Sequence, residues 1–140
     1  MVKQFRDLRV YQQAFQAAQT IYTASRAWPR EEKYALTDQI RRSSRSVCAN
    51  TAEAWRKRRY PKHFITKLSD ADAEAAETQS WLDFARECGY LSPDEFNILN
   101  STYEVIIGGL VNMMASPDRW CGPSIIREEG TIYRLDDTAD

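Results

Sequence analysis

Four stretches of the chain repeat apolar residues at alternating steps of three and four, the spacing that lines one face of an α-helix. The first runs through Leu8, Tyr11, Phe15, Ala18 and Tyr22. The second runs through Leu36, Ile40, Ser43, Val47 and Ala54 and is rich in small residues. The third passes through Phe64, Leu68, Ala71, Ala75, Thr78, Leu82 and Ala85, and the fourth through Phe96, Leu99, Tyr103, Ile106, Leu110 and Met113. Periodicity sustained over this length predicts long helices packed nearly parallel or antiparallel at a shallow angle.

The breaks between stripes carry matching punctuation. Asp7 is placed to cap the first helix and Pro29 to close it off. Pro61 suits the first turn of the third helix, where its missing N–H costs nothing. Gly89 falls after that helix's last turn, where a positive φ is wanted. Ser92-Pro93-Asp94-Glu95 reads as N-cap, proline at N1 and a capping-box glutamate. Connections this short force antiparallel neighbours. The expected fold is all-α: an antiparallel up-down-up-down four-helix bundle over residues 1–116 with a C-terminal extension. Residues 117–140, with an acidic end at Asp136, Asp137 and Asp140, are expected to be extended or partly disordered. Ile125, Ile126, Ile132, Tyr133 and Leu135 give that tail the means to dock on a bundle or a partner.

Composition agrees with one globular domain: 43% hydrophobic and 28% charged residues, with too few Gly and Pro for a β-sandwich. No apolar run approaches the ~20 residues of a membrane span. The N-terminus is charged from Lys3, unlike a secretory signal. Cys48, Cys88 and Cys121 are an odd, widely spaced set, read as structural thiols. A cytoplasmic protein is expected.

Catalytic chemistry finds little footing. His63 is the only histidine and has lysines nearby, so it reads as a surface residue. Asp70, Glu74 and Glu77 share a stripe beside the core stripe of the third helix; without a His partner they read as a solvated or salt-bridged face rather than a metal site. Asn50 and Glu53, among small residues late in the second helix, suggest a buried hydrogen-bond network or a polar contact to a partner. The expectation is a non-enzyme with no metal and no cofactor.

The charge distribution is more informative. Residues 1–67 hold 15 Lys/Arg against 5 Asp/Glu, a balance of +10, and residues 68–140 hold 4 against 15, a balance of −11. Arg41, Arg42 and Arg45 lie on the second helix, followed by Arg56, Lys57, Arg58 and Arg59 and then Lys62. Four adjacent cations repel one another unless phosphates or carboxylates answer them. Trp55 and Tyr60 flank the run and could stack on bases. RNA or DNA is one candidate partner. The alternative is a protein–protein scaffold in which the positive half of one subunit meets Asp70, Glu74 and Glu77 of the next. The many aromatic residues exceed what one small core holds, which places some at subunit contacts, Trp81 first among them.

Four segments also resemble a known family. Phe5-Arg6-Asp7-Leu8-Arg9-Val10-Tyr11-Gln12-Gln13-Ala14 resembles the opening of the four-helix-bundle proteins associated with intervening sequences in bacterial 23S rRNA genes. Glu32-Lys33-Tyr34-Ala35-Leu36-Thr37-Asp38-Gln39-Ile40-Arg41-Arg42-Ser43-Ser44, Asn50-Thr51-Ala52-Glu53 and Cys88-Gly89-Tyr90-Leu91-Ser92 resemble later pieces of the same pattern, correctly spaced over residues 5–115. The resemblance implies a ring-forming homo-oligomer, typically a pentamer, without catalytic activity. It also implies kinship with the accessory variability protein of diversity-generating retroelements, a basic barrel that binds nucleic acid and a reverse transcriptase. This chain departs from the pattern in Ala54-Trp55, where many members have Gly, and in its acidic third helix.

Overall fold

The computed structural model describes residues 1–122. Four long helices, α1 (Arg9–Ser25), α2 (Asp38–Arg56), α3 (Pro61–Glu87) and α4 (Pro93–Ala115), are followed by a short fifth, α5 (Pro117–Cys121). α1 packs on α2, α2 on α3 and α3 on α4, and α4 closes the square against α1. This is the antiparallel four-helix bundle that the periodicity predicts, and no strand occurs among the described residues.

The helix ends follow their local chemistry. Pro61 opens α3 at its first turn. Ser92 Oγ accepts from the Glu95 amide at 3.1 Å while the Glu95 carboxylate accepts from the Ser92 amide at 2.8 Å, completing the capping box of α4. Gly89 has φ +77°, a conformation L side chains rarely adopt, and lets the chain turn between α3 and α4. Asp7 caps something other than α1. Its carboxylate accepts from the amides of Lys3 and Gln4 and organises a 3₁₀ turn, Phe5–Asp7, while Leu8 takes the N-cap of α1 without a side-chain bond. α1 ends at Ser25, before Pro29, and a 3₁₀ turn and a π turn (Arg30–Glu32, Lys33–Thr37) lead into α2. Tyr90 Oη donates to Glu32 Oε2 at 2.8 Å, tying this connection to the α3–α4 turn.

Every expected core position on α3 and α4 is buried, as are the five on the second stripe. Fully buried side chains such as Phe64, Leu68 and Leu82 each contribute about 1.5–3 kcal/mol. A polar pair sits among them: Ser43 and Thr78, both fully buried, share a hydrogen bond of 2.8 Å between α2 and α3. The buried hydrogen bonding expected at Asn50 and Glu53 lies here instead. Asn50 is half-buried and donates to Ser46, and Glu53 is exposed.

α1 corrects the expectation. Leu8 and Ala18 are buried, but Phe15 and Tyr22 face outward and Tyr11 is half-buried; the core face is Val10, Ala14, Ala17, Ala18 and Ile21. The reason is close approach. A Cβ at Gly109 of α4 would fall far inside van der Waals contact with Val10 Cγ1, so Val10 already fills this part of the interface. Aromatic rings on α1 have no room there and turn to the outside.

The extension also differs at its start. Residues 117–121, part of the tail expected to be extended or partly disordered, form α5, because Pro117 suits the first helical turn and Trp120 meets Trp55 edge-on at 6.4 Å. The rest of the expected tail, 123–140, lies outside the described residues.

Two glycines one residue apart on α4 separate space from propensity. Gly109→Ala is expected to lose about 1–3 kcal/mol by forcing α1 and α4 apart. Gly108→Ala, where a Cβ meets nothing, is expected to gain up to about 1 kcal/mol from helix propensity. Urea unfolding of both variants checks the pair; equal effects would refute the close approach.

Candidate nucleic-acid interface

The basic residues singled out from the sequence fall into three places. α2 carries Arg41, Arg42 and Arg45 near its start and Arg56 at its end, so the extremes are about 22 Å apart along the axis.

Arg41 and Arg45 face α1. Arg41 Nε donates to Ser25 Oγ at 2.8 Å, and both guanidinium groups sit over the Tyr22 ring, at 4.8 and 5.5 Å from its centroid. A guanidinium over an aromatic face is held by the ring's quadrupole.

Arg42 turns the other way, to α3. It donates to Glu74 at 2.8 Å and to Glu77, and these bonds, Glu74 first, raise its pKa above the ordinary value. Glu77 also accepts from Trp81 Nε1 at 3.1 Å. Two of the three carboxylates expected to meet a neighbouring subunit are therefore paired within the chain. The third, Asp70, lies 3.9 Å from Lys67, which also reaches Glu53 at 3.5 Å.

The third place is the corner where α2 hands over to α3. Arg56, Arg59 and Lys62 are exposed and Lys57 half-exposed. Arg58 behaves differently: its Nε donates to the Trp55 carbonyl at 2.8 Å and its guanidinium lies 3.5 Å from the centroid of the Trp55 ring. Burial against that ring, reinforced by neighbouring Arg56, lowers its pKa. Arg58 thus caps and packs the end of α2. Trp55 is buried beneath it and does not present a face to a base; Tyr60, half-exposed, stacks with the exposed His63 at 5.4 Å. The corner brings together Arg56, Lys57, Arg59 and Lys62 within one connection and one helical turn, and Arg41, Arg42 and Arg45 are not part of it.

The cysteines offer no activated thiol in this region. Burial pushes the Cys48 and Cys121 thiols up to about 11, which keeps them protonated at neutral pH. Among the described residues no group of three or more His, Cys, Asp or Glu side chains could hold a metal ion, and no helix is long and apolar enough to cross a membrane.

The model of the family described as 23S rRNA-intervening sequence protein matches residues 6–112. The chain belongs to this family. The match covers all four long helices apart from the last residues of α4 and stops before α5. A crystal structure of a protein with unknown function from the S23 ribosomal protein family of Bacteroides thetaiotaomicron superposes with a TM-score of 0.68. That protein is 27% identical, over 76% of this chain and 95% of its own. A comparison with curated proteins gave no match.

Two features escaped the sequence reading. Phe84 is 55% exposed and its ring lies 6.0 Å from that of half-buried Trp81, so the candidate contact on α3 is an aromatic pair. Its signal was present, since Phe84 falls off the Leu82–Ala85 core stripe. The other is the outward ridge of Tyr11, Phe15 and Tyr22 on α1, which the larger stripe of that helix disguised as core.

Because Arg58 packs and its neighbours do not, alanine should separate them. Arg58→Ala is expected to lose about 1–2 kcal/mol of stability. Arg56→Ala and Arg59→Ala are expected to stay within about 0.5 kcal/mol of the parent. Denaturant midpoints at unchanged m-value read this directly.

Proposed function

We propose that this protein is a non-catalytic, ring-forming binding protein of the cytoplasm that contacts RNA or DNA through the basic corner between α2 and α3. The observation that carries the reading is the cluster of Arg56, Lys57, Arg59 and Lys62 at that corner, where Arg56, Lys57 and Arg59 meet no carboxylate among the described residues. Elsewhere on α2, Arg42 is already neutralised by Glu74 and Glu77. Cations left grouped and solvated bind phosphates by releasing counterions, with little dependence on sequence. The family's name, which refers to 23S rRNA, is consistent with such a partner. A ring would repeat a weak corner around its circumference and raise its avidity.

The alternative is a protein–protein scaffold, favoured by exposed Phe84 and its half-buried neighbour Trp81 on α3. Aromatic pairs of this kind are enriched at subunit contacts. In either reading that pair is the proposed ring contact. Asp70, Glu74 and Glu77 flank it on the same helix, the two glutamates engaged by Arg42 of their own subunit. A pentamer is the expected state.

The test reverses charge at the corner without disturbing the Arg58 cap. Arg56→Glu/Arg59→Glu is expected to abolish binding of a labelled structured RNA while leaving helix content and unfolding midpoint intact. Retained binding in that variant would remove the corner from the account. Loss of binding together with loss of the oligomer, in the same sample, would favour the scaffold reading.

A further inference from the structure

The corner between α2 and α3 holds more than cations. Its backbone is a tight turn: the Tyr60 amide donates to the Lys57 carbonyl at 2.9 Å, and the Tyr60 carbonyl accepts from the Phe64 amide at 2.9 Å. Phe64 is fully buried, which anchors the turn in the core at that end. At the other end Arg58 closes on the buried Trp55. Pro61 adds a restriction of its own, because the residue before a proline is held out of the helical region. Tyr60 accordingly has φ −123° and ψ 91°. The fold thus sets the position of Tyr60 before any ligand arrives.

The Tyr60 side chain makes no capping bond to α3. Its ring is half-exposed and lies 5.4 Å from the ring of exposed His63, tilted by 37°. Residues three apart at a helix start share one side, which brings the two rings together. Arg59 directly precedes Tyr60, and Arg56 and Lys57 lie on the same connection. None of these three cations meets a carboxylate among the described residues. A positioned aromatic pair therefore adjoins three cations.

That combination separates ligands that cations alone treat alike. An arginine meets the same phosphate on a duplex and on a single strand. The base faces differ: in a duplex they are stacked on one another, and only unpaired bases lie on a protein ring. Such stacking tolerates any sequence, since every base has a π-face. A nucleotide carries base and phosphate side by side, as the corner carries ring and guanidinium on residues 59 and 60. Trp55, the other aromatic residue beside the basic run, is buried under Arg58 and takes no part.

We infer that the corner takes unpaired nucleotides, with a base laid on the Tyr60–His63 rings and the flanking phosphates on Arg56, Lys57 and Arg59. The ligand is a single strand, or an unpaired loop of a structured RNA, and not a duplex. This choice of strand rests on the phosphate-binding corner proposed above. Because base and phosphate carry the recognition, ribose and deoxyribose strands serve equally.

The experiment titrates the full chain against labelled oligouridylate, oligothymidylate and an RNA duplex of the same length, each over a salt series. Tyr60→Leu keeps apolar bulk and removes the π-face. It should weaken binding of both single strands about tenfold. The salt slope should not change, since no phosphate contact is lost, and duplex binding should stay as in the parent. Tyr60→Phe, which keeps a ring, should bind as the parent does. With no substitution at all, irradiation of an oligouridylate bearing 5-iodouridine should give adducts on Tyr60 or His63. Binding that falls with salt but ignores Tyr60→Leu would overturn the inference and leave the phosphate-binding corner standing. So would a loss shared equally by the duplex, a preference set by the sugar, or adducts only outside residues 57–64. No binding of any of the three ligands by the parent would remove the corner itself and the choice of strand with it.

Discussion

The bundle is organised by how closely α1 approaches its neighbours. Val10, Ala14, Ala17 and Ile21 form the buried face of α1, and Val10 occupies the space a side chain at Gly109 of α4 would need. Interiors packed at crystal-like density do not absorb an aromatic ring at such a contact. Tyr11, Phe15 and Tyr22 therefore go to the outer face. That displacement makes the α1–α2 groove, provides the ring over which Arg41 and Arg45 sit, and leaves an apolar surface that wants cover. One steric limit in the core thus determines the chemistry of one side of the surface.

Electrostatics then sorts the remaining cations. The excess positive charge of the first half and the negative charge of the second meet locally across the α2–α3 contact, where Arg42 takes Glu74 and Glu77, and where Lys67 lies between Glu53 and Asp70. Exposed pairs of this kind contribute little to stability. Their effect is on disposition: Arg42 is engaged by Glu74 and Glu77, whereas Arg56, Lys57 and Arg59 meet no carboxylate among the described residues. Arg58, drawn onto Trp55, completes the division between cations that hold the fold and cations that face solvent.

The sequence carried most of this architecture. Three stripes were read correctly because on α2, α3 and α4 the residues at three-and-four spacing are also the ones that fit the core: Phe64 to Ala85 and Phe96 to Met113 are buried throughout, while Phe84, Ile98, Val105 and Val111 fall off the stripes and are exposed. α1 offers two competing faces. Val10, Ala14, Ala17 and Ile21 repeat as regularly as Tyr11, Phe15 and Tyr22, and hydrophobic size favours the wrong one. Only the partner helix decides, since the small contact at Gly109 is a tertiary fact. The same holds for the basic set. Spacing put Arg41 and Arg42 side by side in the chain, yet adjacent helical residues point about 100° apart, so one faces α1 and the other α3. The separate standing of Arg58 follows from its contact with the Trp55 ring and carbonyl, which no charge pattern reveals. Family membership was legible from the four spaced segments, and the model match over residues 6–112 agrees with them.

The central claim is that Arg56, Lys57 and Arg59, at the corner between α2 and α3, take up phosphates. Its most direct measurement is fluorescence anisotropy of a labelled structured RNA titrated with the unmodified protein over a series of salt concentrations. Three phosphate contacts per subunit, from Arg56, Lys57 and Arg59, predict a log–log slope of binding against salt of about −2 to −3, and steeper if several subunits engage one RNA. No binding at low salt, or a slope near zero, would contradict the claim and make the Trp81–Phe84 surface the leading functional site.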